Sequence, residues 1–313
     1  MIRALAYILR FVLRALWMLV PLSLVRRVAR YSSAHWNKFS WNGKFARFLR
    51  LKEIRNVDQF RVDEWDIRFA CVDSHIAKGL YFFGARGYEY GVVKAWRNIC
   101  AETNSAVEIG ANIGLYCLVA TKSNPAIRYH AYEPLPVAAR ILRENLELND
   151  IAGAVDLVEA AVVDDDSQQT VQLNIPQGGF EDIPAGSFVA GLSNAPKTTR
   201  STLIVPAVDV RDAIAGAGAI KIDAEGVEPK LLERALDMIL ETQPEIIVEI
   251  LKWDEAFRYV VGTLCERGNY SLYAILDQGL RQIDHNSVEN MEEAMTITLD
   301  FLLSPKPCHQ TLQ

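Results

Sequence analysis

The sequence lacks the cysteine spacings that indicate a disulfide framework or a metal centre. Its five cysteines are scattered over 313 residues, and no two form a C-x-x-C pair or another metal-ligand spacing. Cys117 falls in an apolar run, where a small buried thiol is expected. We therefore predict no metal site, with a divalent ion held by carboxylates as the alternative. The absence of a disulfide framework indicates a reducing, cytoplasmic location. Half of the residues are apolar, which excludes disorder of the whole chain.

The N-terminal region lacks both acidic residues and a long uncharged run. The first acidic residue is Glu53, and the longest uncharged run, residues 15–25, contains Pro21. A membrane-spanning helix needs about 20 mostly apolar residues, so none is predicted here. Residues 1–55 hold twelve Lys and Arg against one Glu, a net charge of +11. Because the whole chain has a net charge of −6, residues 56–313 carry −17. This asymmetry predicts a basic arm facing an anionic surface, while the net charge of −6 argues against nucleic acid as the main partner of the whole chain.

The basic arm begins with a segment of amphipathic helical pattern. On a helical wheel Arg3, Arg10 and Arg14 form one stripe opposite a wide apolar face. This pattern is typical of interfacial membrane helices, so we expect residues 1–30 to lie on an anionic membrane surface, at its inner face. A helix packed on the main domain and an organellar transit peptide remain alternatives. The aromatic and basic residues of 31–66 favour a packed helical extension over a nucleic-acid site.

From about residue 67, short apolar strands, among them one at 155–163, alternate with helical segments, among them one at 229–240. This alternation predicts βαβ units and a parallel sheet. Residues 271–303 break the rhythm with two strands and no long helix between them, which predicts antiparallel pairing. Residues 176–200 are rich in Gly, Pro, Ser and Asn and keep no period, which indicates a lid or a disordered loop, and we favour the lid. The predicted divisions are a basic helical extension at 1–55, a lead-in strand and helix at 56–105, a main domain at 106–305 and a tail at 306–313.

A glycine-containing turn is the strongest motif. The segment EIGANIG, residues 108–114, follows a short apolar strand and precedes a helix. Glycine permits a tight turn and close approach of the backbone to a ligand, and ligands bind beyond the carboxyl ends of such strands. The motif alone suits a dinucleotide, a methyl donor or no ligand. Because residues 110–115 read GANIGL, without the G-x-G-x-x-G spacing, an NAD(P) enzyme is disfavoured.

Two acidic motifs follow the glycine turn. Glu133 ends the next strand about 20 residues further on, where a carboxylate can accept both hydroxyls of a ribose. Its alternative role is that of an acid at the start of a helix. In IKIDAEGVE, residues 220–228, an apolar strand runs into Asp223, Glu225 and Glu228. These acids are expected to line one cleft together with the glycine turn. Helix capping is the alternative, and it suits Glu228 well and Asp223 poorly.

Taken in order, these motifs resemble those of the FkbM-type methyltransferases. That family has patterns similar to DVGANIG, EP, KIDVEGxE and PxIxxE, and this sequence has EIGANIG at 108–114, YEPLP at 132–136, IKIDAEGVE at 220–228 and PEIIVE at 244–249. The Gly-Tyr-Glu at 87–89 and the strands near the C-terminus also resemble the family. The likeness covers roughly residues 80–305. It departs at Glu108, where the family more often has Asp.

The resemblance implies a class I, Rossmann-like α/β fold, with a mostly parallel seven-stranded sheet containing one antiparallel strand, behind an N-terminal helical extension. It implies S-adenosylmethionine as methyl donor and in-line methyl transfer to a hydroxyl of a sugar, glycan or glycolipid, or secondary metabolite. A non-catalytic membrane-associated scaffold that retains this fold is the alternative.

The same resemblance implies roles for individual residues. The methionine part of the donor would be held by Glu108, Gly110, Ala111, Asn112 and Gly114. Glu133 would bind the ribose, and Ala161 would lie near the adenine. Asp223 and Glu225 would face the methyl group and the acceptor, with Asp223 as the first candidate for the base and Glu225 as the second. The longer arm of Glu108 can reach the donor's ammonium directly or through water. His75 is a further candidate base outside the matched region.

Overall fold

The computed structural model describes residues 20–35, 54, 57–176, 188–189 and 199–306. The expectations for the amphipathic segment up to residue 19, for most of the 31–66 extension, for most of the 176–200 loop and for the tail beyond 306 lie outside these residues. The chain forms two compact units, and the boundary between them in the sequence falls between Tyr88 and Glu89. Within the described ranges, no helix is both long enough and apolar enough to cross a bilayer.

In its described residues, the smaller unit contains two α-helices and a hairpin. Its elements are α1 (Leu22–His35), β1 (Gln59–Val62), β2 (Ile67–Ala70) and α2 (His75–Phe83). Ser74 begins α2 by accepting a hydrogen bond from the Ala77 N–H at 3.0 Å. The Arg26 guanidinium of α1 lies 4.7 Å from the centre of the Tyr81 ring of α2. The sequence pattern did not predict α2, because every residue from Ile76 to Phe83 is buried and no polar face marks the helical period.

The larger unit is built on strands β3 to β14. Their bounds are β3 Ser105–Ile109, β4 Arg128–Tyr132, β5 Val155–Val158, β6 Ala161–Val163, β7 Thr170–Pro176, β8 Phe188–Val189, β9 Thr199–Asp209, β10 Ala219–Ile222, β11 Glu245–Glu249, β12 Ser271–Leu276, β13 Gly279–Ile283 and β14 Asp300–Ser304. Eight of them form one sheet in the order β13-β12-β14-β11-β10-β3-β4-β5, and the other four form a second sheet in the order β6-β9-β7-β8.

The large sheet confirms the predicted fold class. The five strands from β11 to β5 pair in parallel. Strand β14 is antiparallel to both β11 and β12, so it opposes six strands that share one direction. This is the predicted seven-stranded arrangement with one antiparallel strand. Strand β13 adds an eighth strand at the edge, antiparallel to β12.

Helices cover this sheet. They are α3 Tyr90–Glu102, α4 Leu115–Ser123, α5 Pro136–Leu148, α6 Val210–Ala213, α7 Glu228–Arg234, α8 Leu236–Thr242, α9 Glu255–Gly268 and α10 Val288–Met295. Ile220, Ile222 and Val248 face a buried cluster that includes Leu231 of α7 and Leu264 of α9. Full burial of each such side chain contributes roughly 1.5–3 kcal/mol. Along β10 the side chains alternate, so Lys221 points to the opposite face.

Three details differ from the sequence-based prediction. The single strand expected at residues 155–163 is two strands, because the Ala160 N–H bonds to the Val158 carbonyl and turns the chain out of the large sheet. Strand β6 then pairs with β9 instead. The helix expected at 229–240 is divided into α7 and α8 at Ala235. The antiparallel pairing expected near the C-terminus is confirmed, but β13 and α10 were not predicted.

Candidate functional site

The glycine turn joins β3 to α4 and is fixed to two neighbouring strands. The N–H groups of Gly110 and Ala111 both donate to the Tyr132 carbonyl of β4, at 2.9 and 3.0 Å. Gly110 has φ +88°, and a β-carbon there would lie 1.9 Å from the carbonyl oxygen of Asp223. Gly114 also has φ +88°, and Asn112 has φ +49°. The turn therefore needs glycine at residue 110 for both its backbone angle and its contact with the end of β10.

Glu133 lies beneath this turn at the end of β4. Its Oε2 accepts a hydrogen bond from the Asn112 N–H at 2.7 Å, and its Oε1 accepts one from the Leu135 N–H at 2.8 Å. Burial raises the pKa of Glu133 to about 7, although these two bonds act in the opposite direction. A carboxylate has about four acceptor sites, so two hydroxyl donors can still be accommodated.

Glu108 is fully buried on β3 and ends a chain of hydrogen bonds. The Trp96 indole N–H donates to the Tyr129 hydroxyl at 3.0 Å, and that hydroxyl donates to Glu108 Oε2 at 2.7 Å. Glu108 Oε1 has no hydrogen-bond partner among the described residues. Burial raises the pKa of Glu108 to about 8, while Lys221 and the Tyr129 hydrogen bond act to lower it.

Lys221 lies beside Glu108 in the register of β10 and β3 and is 1% exposed. Its Nζ lies 3.0 Å from Asp223 Oδ2 and 4.3 Å from the centre of the Tyr116 ring. The Tyr116 hydroxyl in turn donates a hydrogen bond to Glu89. Burial acts to lower the pKa of Lys221, but the carboxylates of Asp223, Glu89 and Glu108 outweigh it and raise this pKa above its usual value.

Two further carboxylates lie at the end of the large sheet where β10 ends. Glu249 ends β11 and lies opposite Asp300, the first residue of β14. Burial, assisted by the negative charges of Asp223 and Asp300, raises the pKa of Glu249 to about 9. Burial likewise raises the pKa of Asp300 well above its usual value, and the nearby Glu89 adds to this effect.

The third acid of the 220–228 motif has a structural role. Glu228 Oε1 accepts hydrogen bonds from the N–H groups of Ala224 and Gly226 at 2.8 and 3.1 Å. This closes the turn that holds Glu225 at φ +60°. The helix-capping interpretation of Glu228 is not borne out, because the helix that begins at Glu228 has no side-chain capping hydrogen bond and the carboxylate binds the turn before it. Asp223 and Glu225 remain the candidates for chemistry.

The remaining predicted residues belong to other structural elements. Ala161 is buried in β6, opposite Ala207 of β9, and so belongs to the second sheet. His75 starts α2 in the smaller unit, where its ring centre lies 5.4 Å from that of Tyr88. Across the part of the chain that the structure describes, no three His, Cys, Asp or Glu side chains are arranged to hold a metal ion.

Sequence reasoning missed Glu89, Tyr116, Lys221, Glu249 and Asp300 as members of the cluster. A signal existed for Lys221, because a lysine inside the apolar strand Ala219–Ile222 needs a buried counter-charge. Glu89 belongs to the Gly-Tyr-Glu that carried part of the family resemblance.

The strand order, the glycine turn after β3 and the acid ending β4 define an S-adenosylmethionine-dependent methyltransferase of class I. The model of the methyltransferase FkbM domain matches residues 108–271, slightly more than half of the chain. The protein belongs to the FkbM methyltransferase family.

Individual relatives cover the chain in part. The 31-O-demethyl-FK506 methyltransferase FkbM of Streptomyces tacrolimicus is 29% identical over 185 residues, which cover 51% of this chain and 70% of the relative. Methyltransferase sdnD of Sordaria araneosa is 29% identical over 139 residues, 44% of this chain and 48% of that protein. The crystal structure of methyltransferase FkbM from Methylobacillus flagellatus KT aligns with a TM-score of 0.39 at 14% identity, over 64% of this chain and 43% of its own.

The residues at the turn fit the methyl donor of this family. Gly110 keeps side-chain atoms out of the space between the turn and β10. Glu108 Oε1 is a buried acceptor without a partner among the described residues, close to that turn in sequence. Glu133 retains acceptor capacity for a pair of hydroxyls. S-adenosylmethionine carries an ammonium group and two ribose hydroxyls, which such acceptors would satisfy.

Proposed function

We propose that this protein transfers a methyl group from S-adenosylmethionine to a hydroxyl oxygen of a sugar, a glycan or glycolipid, or a secondary metabolite. The observation that carries this proposal is the direct contact between Gly110 and the backbone carbonyl of Asp223. The turn assigned to the donor and the carboxylate assigned to the acceptor therefore lie side by side at the carboxyl ends of the adjacent strands β3 and β10.

The turn residues Glu108, Gly110, Ala111, Asn112 and Gly114 are proposed to surround the methionine part of the donor. Glu133 would accept the ribose hydroxyls, since its carboxylate is already held rigid by two backbone N–H groups. Ala161 would border the adenine. Family membership and the placement of Glu108 and Glu133 near the ends of neighbouring parallel strands support this proposal.

When bound, the methyl donor supplies an electrophilic methyl group on a sulfonium. The protein contributes alignment, because holding the acceptor oxygen about 3 Å from that carbon, in line, removes most of the entropic cost of reaction. Asp223 is proposed to accept the proton of the acceptor hydroxyl, with Glu225 as the second candidate. The ammonium of Lys221 at 3.0 Å fixes the direction of the Asp223 carboxylate.

Two observations bear on the acceptor. The Streptomyces relative is named for an O-demethylated acceptor, which supports an oxygen as the methylated atom here. The arginines and apolar residues of 1–30 support a position on an anionic membrane surface, and a lipid-linked glycan or glycolipid would be available there.

Calorimetry tests the donor first. We expect S-adenosylmethionine to bind, NAD not to bind and Glu133→Ala to lose the donor. Transfer of a radioactive methyl group from the donor to a panel of hydroxylated sugars, glycolipids and secondary metabolites then tests the acceptor. Donor binding without transfer to any member of the panel would favour the scaffold alternative, and no donor binding would contradict the proposal.

A further inference from the structure

Glu89 adopts a backbone conformation that its residue type does not favour. It is the residue that precedes α3, with φ +38° and ψ +46° in the left-handed region. Of the six other described non-glycine residues with positive φ, three end helices, where such angles are common: Asp66 after the 3₁₀ helix Asp63–Trp65, Gln243 after α8 and Asn269 after α9. Glu89 instead begins a helix, and strained residues of this kind often lie at functional sites.

The side chain of Glu89 is held at the edge of the cluster around Lys221. Its Oε2 accepts a hydrogen bond from the Tyr116 hydroxyl, and the Tyr116 ring packs against the Lys221 ammonium at 4.3 Å. Tyr116 is the second residue of α4, directly after the glycine turn. The strained backbone of Glu89 therefore directs a carboxylate towards the turn assigned to the methyl donor.

Two carboxylates could meet the ammonium group at the amino-acid end of the donor. Glu108 is 0% exposed and is bonded to Tyr129, whereas Glu89 is only half-buried. A half-buried carboxylate with a fixed orientation can bind an incoming cation without first leaving the core. Glu108 lies instead beside Lys221 in the register of β3 and β10.

We infer that Glu89, oriented by Tyr116, binds the α-ammonium group of S-adenosylmethionine. The inference rests on the proposed function, because it assigns a contact to the donor named there. Glu89 is a binding residue in this scheme, and Tyr116 is a positioning residue that restricts the carboxylate to one orientation.

A set of three nucleosides tests this contact without an acceptor. S-adenosylmethionine and S-adenosylhomocysteine both carry the amino-acid end, and 5′-methylthioadenosine lacks it while keeping the ribose and adenine. For Glu89→Gln, calorimetry should show roughly tenfold to hundredfold weaker binding of the first two, the usual effect of losing a hydrogen bond to a charged group. Binding of 5′-methylthioadenosine should be unchanged. The matched control Glu133→Gln should weaken all three.

A second variant separates binding from folding. Glu89→Gly suits the left-handed backbone, so its thermal midpoint should equal or exceed that of the wild type, while its loss of S-adenosylmethionine affinity matches that of Glu89→Gln. Equal weakening of all three nucleosides by Glu89→Gln, or no weakening at all, would overturn the assignment of Glu89. If Glu133→Gln weakens the donor and Glu89→Gln does not, only the Glu89 contact fails. If the wild type binds none of the three, the proposed function fails with it.

Discussion

The ammonium of Lys221 and the carboxylate of Asp223 form an ion pair of 3.0 Å at the carboxyl end of β10, and the Lys221 side chain is 2% exposed. Removing one partner of a buried pair leaves the other charge without compensation. Lys221→Met should therefore lower the free energy of unfolding, but by less than the roughly 3–5 kcal/mol of a fully buried pair, because the Asp223 side chain is 27% exposed. Urea unfolding measures the change, and Lys221→Arg, which keeps the charge, should lose less. Equal losses for both variants would show that shape, and not charge, decides the effect.

Asp223→Asn keeps the size of the side chain and removes its capacity to accept a proton. With an acceptor found by the methyl-transfer panel, turnover should fall about 10²–10⁴-fold, while calorimetry shows donor affinity close to that of the wild type. Glu225→Gln is the comparison, and its smaller effect would leave Asp223 as the base. Unchanged turnover in Asp223→Asn would remove it from that role.

Gly110→Ala and Gly216→Ala form a matched pair. Both glycines have positive φ, but a β-carbon at Gly216 meets no atom within 4 Å, whereas one at Gly110 meets the Asp223 carbonyl at 1.9 Å. Gly216→Ala should cost about 1 kcal/mol of stability for the backbone alone. Gly110→Ala should cost about 1–3 kcal/mol more and should abolish donor binding. Retained donor binding in Gly110→Ala would contradict the placement of the donor at this turn.

Stability should fall as pH rises through the neutral range. The pKa of Glu108 is about 8 in the folded protein and about 4.3 in an unfolded chain, so the folded state keeps a proton that the unfolded state has lost. The stabilisation is complete below about pH 4.3 and is lost towards pH 8, by at most about 1.4 kcal/mol per pH unit. Glu108→Gln should flatten this dependence in urea unfolding, whereas the exposed Glu144→Gln should not. Identical slopes in all three proteins would contradict the buried state of Glu108.

Residues 1–30 give a test of membrane association. Because their charges are arginines, the intact protein should sediment with liposomes containing phosphatidylserine, and binding should weaken as salt is raised. The protein lacking residues 1–30 should remain in the supernatant, and neutral liposomes serve as the control. Equal sedimentation of both proteins with anionic liposomes would remove this segment as the anchor.

The sequence predicted the parts of the fold that depend on local pattern. Alternating apolar strands and helices indicated the parallel sheet, and the break in rhythm after residue 271 indicated the antiparallel strand. It did not predict the division at Ala160 or the edge strand β13, because both depend on which partner a strand finds and not on its own period. Helix α2 was missed because burial on all sides removed the amphipathic signal.

The same limit applies to the site. Motifs located the turn, Glu133 and Asp223, since these residues are close in sequence to glycines and strand ends. The cluster around Lys221 draws Glu89, Tyr116 and Asp300 from distant segments, and only the register of the strands and the packing of α4 bring them together.

The position of β14 has a consequence for synthesis on the ribosome. Although residues 300–304 come late in the sequence, their strand lies inside the sheet, between β11 and β12. Until that segment has left the exit tunnel, β11 has an open edge and Glu249 lacks its neighbour Asp300. The carboxylate cluster can therefore assemble only after β14 has been translated, and a nascent chain halted before residue 300 would expose unpaired strand edges, which are prone to aggregation.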